Sequence, residues 1–510
     1  MKQKNSKNLL NVFQKTALAA VVLSISSVAS ASAFQLSETS VSGLGRAFAG
    51  EAATADNASV VATNPALMTQ FKRAEISAGG IVFVPNLDVN GKILATGTKV
   101  SDHNIAPAQF VPQFYGVMPI NDHFAIGAGM NLNYGLTTDY NDNFMAGYLG
   151  GHTHIAAVNT NFSAAYRYDN WSFGLGANVV YTRAEIRRNM GYLAPAAKQM
   201  LANGIAEFQK NPEVAKQKMA GLVTKAVKDG VISPMDASTI ANALNDPKQL
   251  QQIANQVAKR INNLQPNSTL VKLKGDNVSF GVNAGITYNF NENNRIGIAY
   301  HSPIEVHFKG KFTNDLSDLT SDPALNSMIN QQLAKQGIIP TNGKEIDGRL
   351  KIVLPDYVEI AGYDRLTDRW AIGYSAKWTN WSRFDTLHAT RKATGGTLFT
   401  KQEGFKDSWR YAIGTSYDLN DQWTVRTGFS YETSAMGHHY TISIPDTKRY
   451  WYTAGLTYRP TSDLSIDFGT AYLHGKKSHF TEESKDPIQA AHFDVTASAM
   501  LYGLNVNYKF

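Results

Sequence analysis

Few residues of this chain stand at spacings that could perform chemistry. His438 and His439 could ligate a metal ion, but no further ligand follows at a useful spacing, so we expect both side chains at the surface. Gly43, Gly45 and Gly50 do not form a dinucleotide-binding loop, because no strand precedes them. The nucleophile-elbow pattern G-x-S-x-G does not occur. The sequence therefore predicts no enzymatic activity, metal or other cofactor.

The segment from Phe34 to Phe71 is the most informative part of the chain. It is rich in Gly, Ala and small polar residues, and it has neither strand alternation nor a sustained helical stripe. Its composition alone is typical of a linker. Because the rest of the chain has the pattern of a barrel, the segment is a candidate plug, and a plugged barrel indicates transport.

The N-terminus has the pattern of a secretory signal, which we assign to residues 1–31. Lysines precede an apolar run from 17 to 23 that is too short to span a bilayer as a helix. Cleavage is expected after Ala31 or Ala33. The chain has 48 basic and 41 acidic residues, and four of the lysines lie in the signal, so nucleic-acid binding is not indicated. No Cys occurs, which excludes disulfides.

From about Ala74 the chain consists of segments with period-two alternation. The stretch from 450 to 458 carries Tyr, Tyr, Ala, Leu and Tyr on one face and Trp, Thr, Gly and Thr on the other. This pattern fits strands that are half exposed to lipid, and it also fits a soluble sandwich. Alternation alone therefore leaves both folds open.

Six short polar turns favour the barrel. Four of them precede an aromatic residue that opens the next strand, as expected for an interfacial girdle. The turns lie at 122–124, 169–171, 291–294, 368–370, 421–423 and 459–463. Six turns join twelve strands in pairs, and one strand precedes and one follows them. We therefore predict an all-β fold, a 14-stranded antiparallel transmembrane β-barrel over residues 74–510.

The C-terminus supports an outer-membrane location. Apolar and polar residues alternate from Leu504 to Phe510, as in the signal read by the barrel assembly machinery. Together with the export signal, this predicts a Gram-negative outer-membrane protein in contact with outer-membrane lipids and lipopolysaccharide. We expect a monomer.

Two stretches break the β pattern and are predicted to be helical extracellular insertions, at about 195–263 and 313–345. The first has apolar stripes at Met219, Leu222 and Val223 and again from Leu250 to Ile261. Asp246-Pro247 and Asp322-Pro323 are typical helix starts, and Gly337 is an expected C-cap. The two insertions are expected either to pack on each other above the barrel or to form a groove that collects an apolar ligand, and these alternatives are compatible.

Motifs along nearly the whole mature chain resemble those of the FadL family of long-chain fatty acid transporters. The N-terminal motifs are specific to that family's hatch. They are Phe34-Gln35-Leu36, Ser42-Gly43-Leu44-Gly45-Arg46-Ala47, Glu51, Ala55-Asp56 and Asn64-Pro65-Ala66-Leu67. Barrel motifs include Asn104-Ile105-Ala106-Pro107, Asn133-Tyr134-Gly135-Leu136, Glu403-Gly404-Phe405-Lys406-Asp407 and Ile444-Pro445-Asp446. Within the family, the chain most resembles FadL itself and the P1-type outer-membrane proteins of the same branch.

The resemblance implies a mechanism as well as a fold. Residues 32–73 would form a hatch inside the barrel, with Asn64-Pro65-Ala66 as its motif. A long-chain fatty acid or similar hydrophobic molecule would lodge between the helical loops, move to a pocket in the lumen and leave sideways into the membrane. The exit would lie beside a kinked third strand at Gly135.

The resemblance also implies three ligand-binding residues. Arg188 and Lys401 match basic residues around the ligand's head group, and Phe34 matches a residue that reaches into the pocket. The alternative for the two cations is that they face lipopolysaccharide phosphates, a role that Arg183 and Arg187 fit equally well. The first insertion looks longer than its family counterpart, so no groove residues are assigned.

Other functions remain open at this point. Aromatic hydrocarbons are an alternative cargo, because relatives carry either class. An adhesin function of the loops could coexist with transport, and a general porin would need an open polar lumen. An outer-membrane hydrolase would need a Ser/His pair, for which His474 is a candidate without a serine motif.

Overall fold

A single closed antiparallel β-sheet contains all strands of the computed structural model, which describes residues 33–335, 338–437, 439–483 and 489–510. Each strand follows a stretch with period-two alternation, the pattern that extended backbone places on two faces. The strands are β1 (Glu75–Ile93), β2 (Lys99–Asp102), β3 (Gln109–Pro119), β4 (Phe124–Asp139), β5 (His152–Tyr168), β6 (Trp171–Asn189), β7 (Thr269–Asn289), β8 (Asn294–His301), β9 (Ile304–Thr313), β10 (Ile346–Leu354), β11 (Tyr357–Thr367), β12 (Trp370–Thr379), β13 (Thr386–Arg391), β14 (Thr397–Gln402), β15 (Ser408–Asp418), β16 (Trp423–Glu432), β17 (Arg449–Tyr458), β18 (Leu464–Gly475), β19 (Ser478–Glu482) and β20 (Ala491–Lys509).

Fourteen barrel strands result, because six of those in the described residues consist of two segments each. The two-segment strands are β2 with β3, β8 with β9, β10 with β11, β12 with β13, β14 with β15 and β18 with β19. The barrel closes where β1 pairs with β20 from Glu75–Lys509 to Ile93–Ala491. All six predicted short turns join neighbouring strands at one end. The predicted strand number is therefore confirmed.

The outward face is apolar, and the inward face carries buried polar residues beside apolar clusters. Phe280, Leu175 and Phe114 point outward with 73%, 63% and 50% of their surface exposed. Arg410 and Asn507 are buried on the inward face. Apolar residues on the outside and charged residues on the inside are what lipid outside and a filled lumen require. None of the helices in the described part of the chain is both long and apolar enough to cross a membrane.

The N-terminal segment 33–71 is buried against inward-facing wall residues. It contains α1 (Val41–Gly45), α2 (Val60–Thr63) and a 3-10 helix (Pro65–Gln70). α1 contacts β16, β17, β18 and β20, whereas the 3-10 helix contacts β3 to β7, so the segment reaches both sides of the barrel. Its core is ionic: Arg46 pairs with Glu51 and Asp56, each at 3.1 Å.

The two insertions are helical. The first contains α3 (Leu193–Lys210), α4 (Pro212–Lys228), α5 (Pro234–Asn245) and α6 (Pro247–Asn262), and the second contains α7 (Pro323–Lys335). Side chains of α4 and α5 share an apolar cluster with Leu325 and Met328 of α7. One detail of the predicted stripe is wrong: Leu222 is 46% exposed, because Val223 and Ala226 face the cluster instead.

Helix starts follow the predicted capping chemistry. The Asp246 carboxylate accepts a hydrogen bond from Lys248 N at 2.9 Å, and the Asp322 carboxylate accepts from Ala324 N and Leu325 N, both at 2.9 Å. Proline follows each cap as the first helical residue. The predicted C-cap Gly337 lies outside the described residues, as does the signal 1–31.

Candidate functional site

Phe34 lies at the centre of an aromatic cluster in the lumen. Its ring centroid is 4.7 Å from that of Trp381, 5.1 Å from that of Phe384 and 6.2 Å from that of Tyr134. Only 1% of Phe34 is exposed. These rings belong to a larger apolar cluster with residues from most of the barrel strands. The first described residues, Ala33 and Phe34, are thus part of an apolar core.

Arg188 is buried at the far end of β6 from the short turns. Its guanidinium donates to the carbonyl oxygens of His152 and Arg187 at 3.0 and 2.8 Å, and to Thr153 Oγ1 at 3.0 Å. All these partners are neutral, so no carboxylate hydrogen-bonds to this cation within the described residues. A buried cation with neutral partners attracts an anion strongly.

Lys401 on β14 has three partners. Its ammonium donates to Thr441 Oγ1 at 2.5 Å, Ser443 Oγ at 2.7 Å and Glu482 Oε1 at 3.0 Å. The second oxygen of Glu482 accepts from Ile442 N at 2.8 Å. Glu482 is therefore fixed as the counter-ion of Lys401.

Glu403 completes this charge cluster, which we define as Arg188, Lys401, Glu403 and Glu482. Both Glu403 oxygens are buried without a hydrogen-bond partner in the described residues. The residue lies between β14 and β15, beyond the outermost lipid-facing aromatic of β15, Trp409. Burial raises the pKa of Glu403 to about 7, and the charges of Lys401 and Arg188 oppose that rise.

The structure thus brings Arg188 and Lys401 into one electrostatic cluster beside the apolar core that contains Phe34. Reasoning from the sequence missed Glu482 and assigned no role to Glu403. Glu403 stands in a quoted family motif, which was an available signal. Glu482 carries no local signal, because its partner Lys401 is 81 positions away.

Asn64-Pro65-Ala66 lies against the barrel wall. Asn64 Oδ1 accepts from Ala66 N at 3.0 Å, which caps the 3-10 helix, and Asn64 Nδ2 donates to Ala52 O at 2.7 Å. A Cβ added to wall residue Gly285 would lie 1.7 Å from Asn64 Oδ1. The motif therefore needs glycine opposite it.

Gly135 lies two residues from an irregularity in the third barrel strand. The pairing of β4 with β5 shifts register at Asn133, and β4 pairs with β3 only as far as Met130. Beyond that point the N-terminal segment takes the place of β3: Gly135 N donates to Phe34 O and Leu36 N donates to Asn133 O, each at 2.9 Å. The wall is thus interrupted on the β3 side of β4.

The two histidines considered as metal ligands are adjacent in sequence. His439 is exposed, and His438 lies outside the described residues. No group of three or more metal-ligating side chains occurs in the part of the chain that the structure describes.

A closed 14-stranded barrel with a lipid-facing apolar belt, and with its own N-terminus packed against the lumen wall, defines an outer-membrane barrel of the transport class. The model of the family described as outer membrane protein transport protein (OMPP1/FadL/TodX) matches residues 22–510. The chain belongs to this family.

Relatives are similar over almost their full length. The chain is 44% identical to the 47 kDa outer membrane protein of Pasteurella multocida (strain Pm70), and 39% identical to the long-chain fatty acid transport protein of Escherichia coli O6:H1 (strain CFT073). Each comparison covers 98% of this chain and 99% of the relative. The crystal structure of a Pseudomonas aeruginosa FadL homologue aligns with a TM-score of 0.68 at 20% identity, over 94% of this chain and 99% of that one. The last likeness concerns the fold alone.

Proposed function

We propose that this protein carries long-chain fatty acids, or similar hydrophobic carboxylates, across the outer membrane. The observation that carries the proposal is the charge cluster at the edge of the apolar core around Phe34. A molecule with a carboxylate at one end and an alkyl chain at the other matches both parts of this site, the charge cluster and the apolar core. The carboxylate would accept charge-assisted hydrogen bonds from Arg188 and Lys401, and the chain would contact the aromatic rings.

The route has three steps in this proposal. The ligand is captured at the helical insertions, moves to the site beside Phe34 and then passes the hatch, residues 32–73. Phe34 O and Leu36 N hydrogen-bond to the edge of β4, so ligand that displaces Phe34 also disturbs the segment beside the interrupted wall. An exit there leads into lipid, where the alkyl chain avoids water.

Aromatic hydrocarbons are the alternative cargo. They lack a carboxylate and would not use the buried cations, so retention of Arg188 and Lys401 in this chain favours the acid. Adhesion through the outer loops is compatible with transport.

Uptake into vesicles tests the proposal. Proteoliposomes with the purified protein should take up labelled oleate faster than vesicles with a general porin. The double variant Arg188→Gln/Lys401→Gln should lose most oleate uptake and keep uptake of labelled toluene, if the vesicles show any. Oleate uptake no faster than the porin control would refute the proposal. Equal loss of both cargoes would refute the head-group role of the two cations.

A further inference from the structure

A basic cleft lies on the outer surface of the barrel, apart from the candidate ligand site. It is formed by β7, β9, β10 and the residues next to β13, and has a volume of about 660 Å³. Six basic and three acidic residues line it. The basic residues are Lys272, Lys274, Lys309, Lys311, Arg349 and Lys392. The cleft therefore has an excess of positive charge.

Four of these cations lack a counter-ion. Lys311 pairs with Asp347 at 2.6 Å, and Lys272 lies 3.8 Å from Glu185. The other four form no ion pair with any residue that the structure describes, and all four are exposed; they are Lys274, Lys309, Arg349 and Lys392. They are free to bind an external anion.

Strand register places a like charge on one side of two of these cations, although each faces a carboxylate on its other side: Glu185 is opposite Lys274, and Asp276 is opposite Lys309. Lys274 is opposite Lys311 in the pairing of β7 with β9, and Lys309 is opposite Arg349 in the pairing of β9 with β10. Like charges at directly opposite positions destabilise a sheet. A multivalent anion between these strands would offset that repulsion.

The cleft lies at the level of lipid head groups. Val278 and Phe280 are outward-facing, exposed apolar residues on the same face of β7 as Lys274. Lys274 is four residues beyond Val278, which is ~13 Å along the strand and about 10 Å along the membrane normal for a tilted strand. Head groups extend roughly 5–8 Å from the hydrocarbon boundary, within reach of a lysine side chain. The cations lie on the side opposite the short turns, which is the extracellular side.

We propose that this cleft binds the phosphorylated head group of lipopolysaccharide, with the lipid A phosphates between β7, β9 and β10. On β9 and β10 the next outward-facing residues beyond the cleft are the ion-paired Glu305, His307 and Lys351, whereas on β7 they are the apolar Val278 and Phe280. The continuity with the lipid-facing residues of β7 favours a lipid phosphate. The acyl chains of a lipid bound there would lie on the apolar face that includes Phe280. Phosphate oxygens accept charge-assisted hydrogen bonds from lysine and bidentate bonds from arginine. The site would hold one glycolipid against the wall.

The test uses the full folded protein in detergent with added bisphosphorylated lipid A, and native mass spectrometry measures the bound lipid. The variant K274Q/K309Q/R349Q/K392Q should bind lipid A at least about fivefold more weakly, because four cations that contact phosphate are removed. The matched control K225Q/K228Q/K259Q/R260Q removes three lysines and one arginine from exposed positions on α4 and α6 and should bind normally. Heat-dependent mobility on gels verifies that each barrel is folded.

Three further measurements, with dephosphorylated lipid A, a charge-retaining variant and a competing anion, do not depend on the folding of the glutamine variant. Wild-type protein should bind dephosphorylated lipid A weakly, and K274R/K309R/R349K/K392R should bind bisphosphorylated lipid A normally. Inorganic phosphate at about 10 mM should leave most lipid A bound, since it cannot supply the acyl contacts. Equal binding of the two lipid A forms, or equal weakening in both glutamine variants, would overturn the proposal. Displacement by inorganic phosphate or by equimolar oleate would assign the cleft to simple anions.

Discussion

At the scale of single residues, the main feature is that Lys401 already has a carboxylate partner. Glu482 occupies one position on the ammonium, and two hydroxyls occupy others. In the proposed site, a ligand carboxylate would therefore share or replace an internal anion. Glu482 then limits affinity, which helps a transporter release its cargo.

Two substitutions in this pair should have opposite effects. Lys401→Gln should weaken oleate binding about tenfold, because it removes a charge-assisted hydrogen bond. Glu482→Gln should strengthen binding by roughly threefold to tenfold, because it removes the competing charge and keeps the shape. Lys406→Gln, an exposed lysine in the β14–β15 connection, is the control and should bind normally. Titration of the folded protein with a fluorescent fatty acid measures all four proteins, and weaker binding by Glu482→Gln would contradict the competition.

Glu403 should make anion binding depend on pH. Its pKa of about 7 means that it is mostly ionised at pH 8 and mostly neutral at pH 6. Loss of that negative charge favours an anionic ligand, so affinity should rise about threefold to tenfold as the pH falls through 7. Hexadecyl sulfonate is a suitable ligand because it does not titrate in this range. Glu403→Gln should bind tightly at both pH values, and a pH dependence that persists in this variant would assign it to another group.

The residues found from sequence were those that a family motif marks. Phe34, Arg188 and Lys401 all lie in the region of the charge cluster and the apolar core beside it. Before the structure, only the match of these residues to family positions indicated a site. Glu482 could not be predicted in this way, because its role depends on how residues 441–443 lie against Lys401 of β14. Neither alternation nor a short motif encodes such a contact.

At the scale of elements, the fit between the 3-10 helix and the wall determines where the N-terminal segment is held. Gly285→Ala would place a methyl group against Asn64 Oδ1, which lies 1.7 Å from the ideal Cβ position. Asn64 must then move and lose its cap to Ala66 N, at a cost of ~1 kcal/mol. We expect faster amide hydrogen exchange in residues 60–70 of this variant.

Gly116→Ala is the matched control, because its nearest atom would lie 3.8 Å away and belongs to Ile76 rather than to the N-terminal segment. This control should exchange like the wild type. Unchanged hydrogen exchange in Gly285→Ala would show that the wall strand moves to accommodate the methyl group and that Asn64 keeps its cap.

The elements themselves were predictable to different degrees. Period-two alternation and the six turns predicted the barrel strands, since both are local properties. Alternation did not show the bulge at Asn133, because one extra residue leaves the composition of β4 unchanged and only its pairing with β5 shows the shift. Only the family resemblance indicated an irregularity there, as a kink at Gly135. The short helices α1 and α2 have five and four residues, too few for a helical period to show in sequence.

At the scale of the whole molecule, a polar lumen is filled by a segment of the same chain. Arg410 of the wall donates to Ala47 O at 2.8 Å, and Thr453 Oγ1 donates to Gly45 O at 3.1 Å. Removal of the segment would expose these inward-facing polar groups to water. We therefore expect the N-terminal segment to decide whether the barrel conducts ions or holds an apolar ligand.

Deletion of residues 34–71 should turn the protein into an open pore. The fourteen strands pair with one another through their own backbones, so the barrel should still form and migrate as a folded band. Mean conductance in planar bilayers should rise at least about tenfold over the wild type, because a barrel of this size leaves an aqueous channel once its plug is removed. Deletion of residues 195–263, which lie outside the lumen, should leave conductance low. Low conductance of the 34–71 deletion would mean that the outer loops, and not the N-terminal segment, seal the lumen. High conductance of the wild type would mean that the segment does not seal the lumen at all.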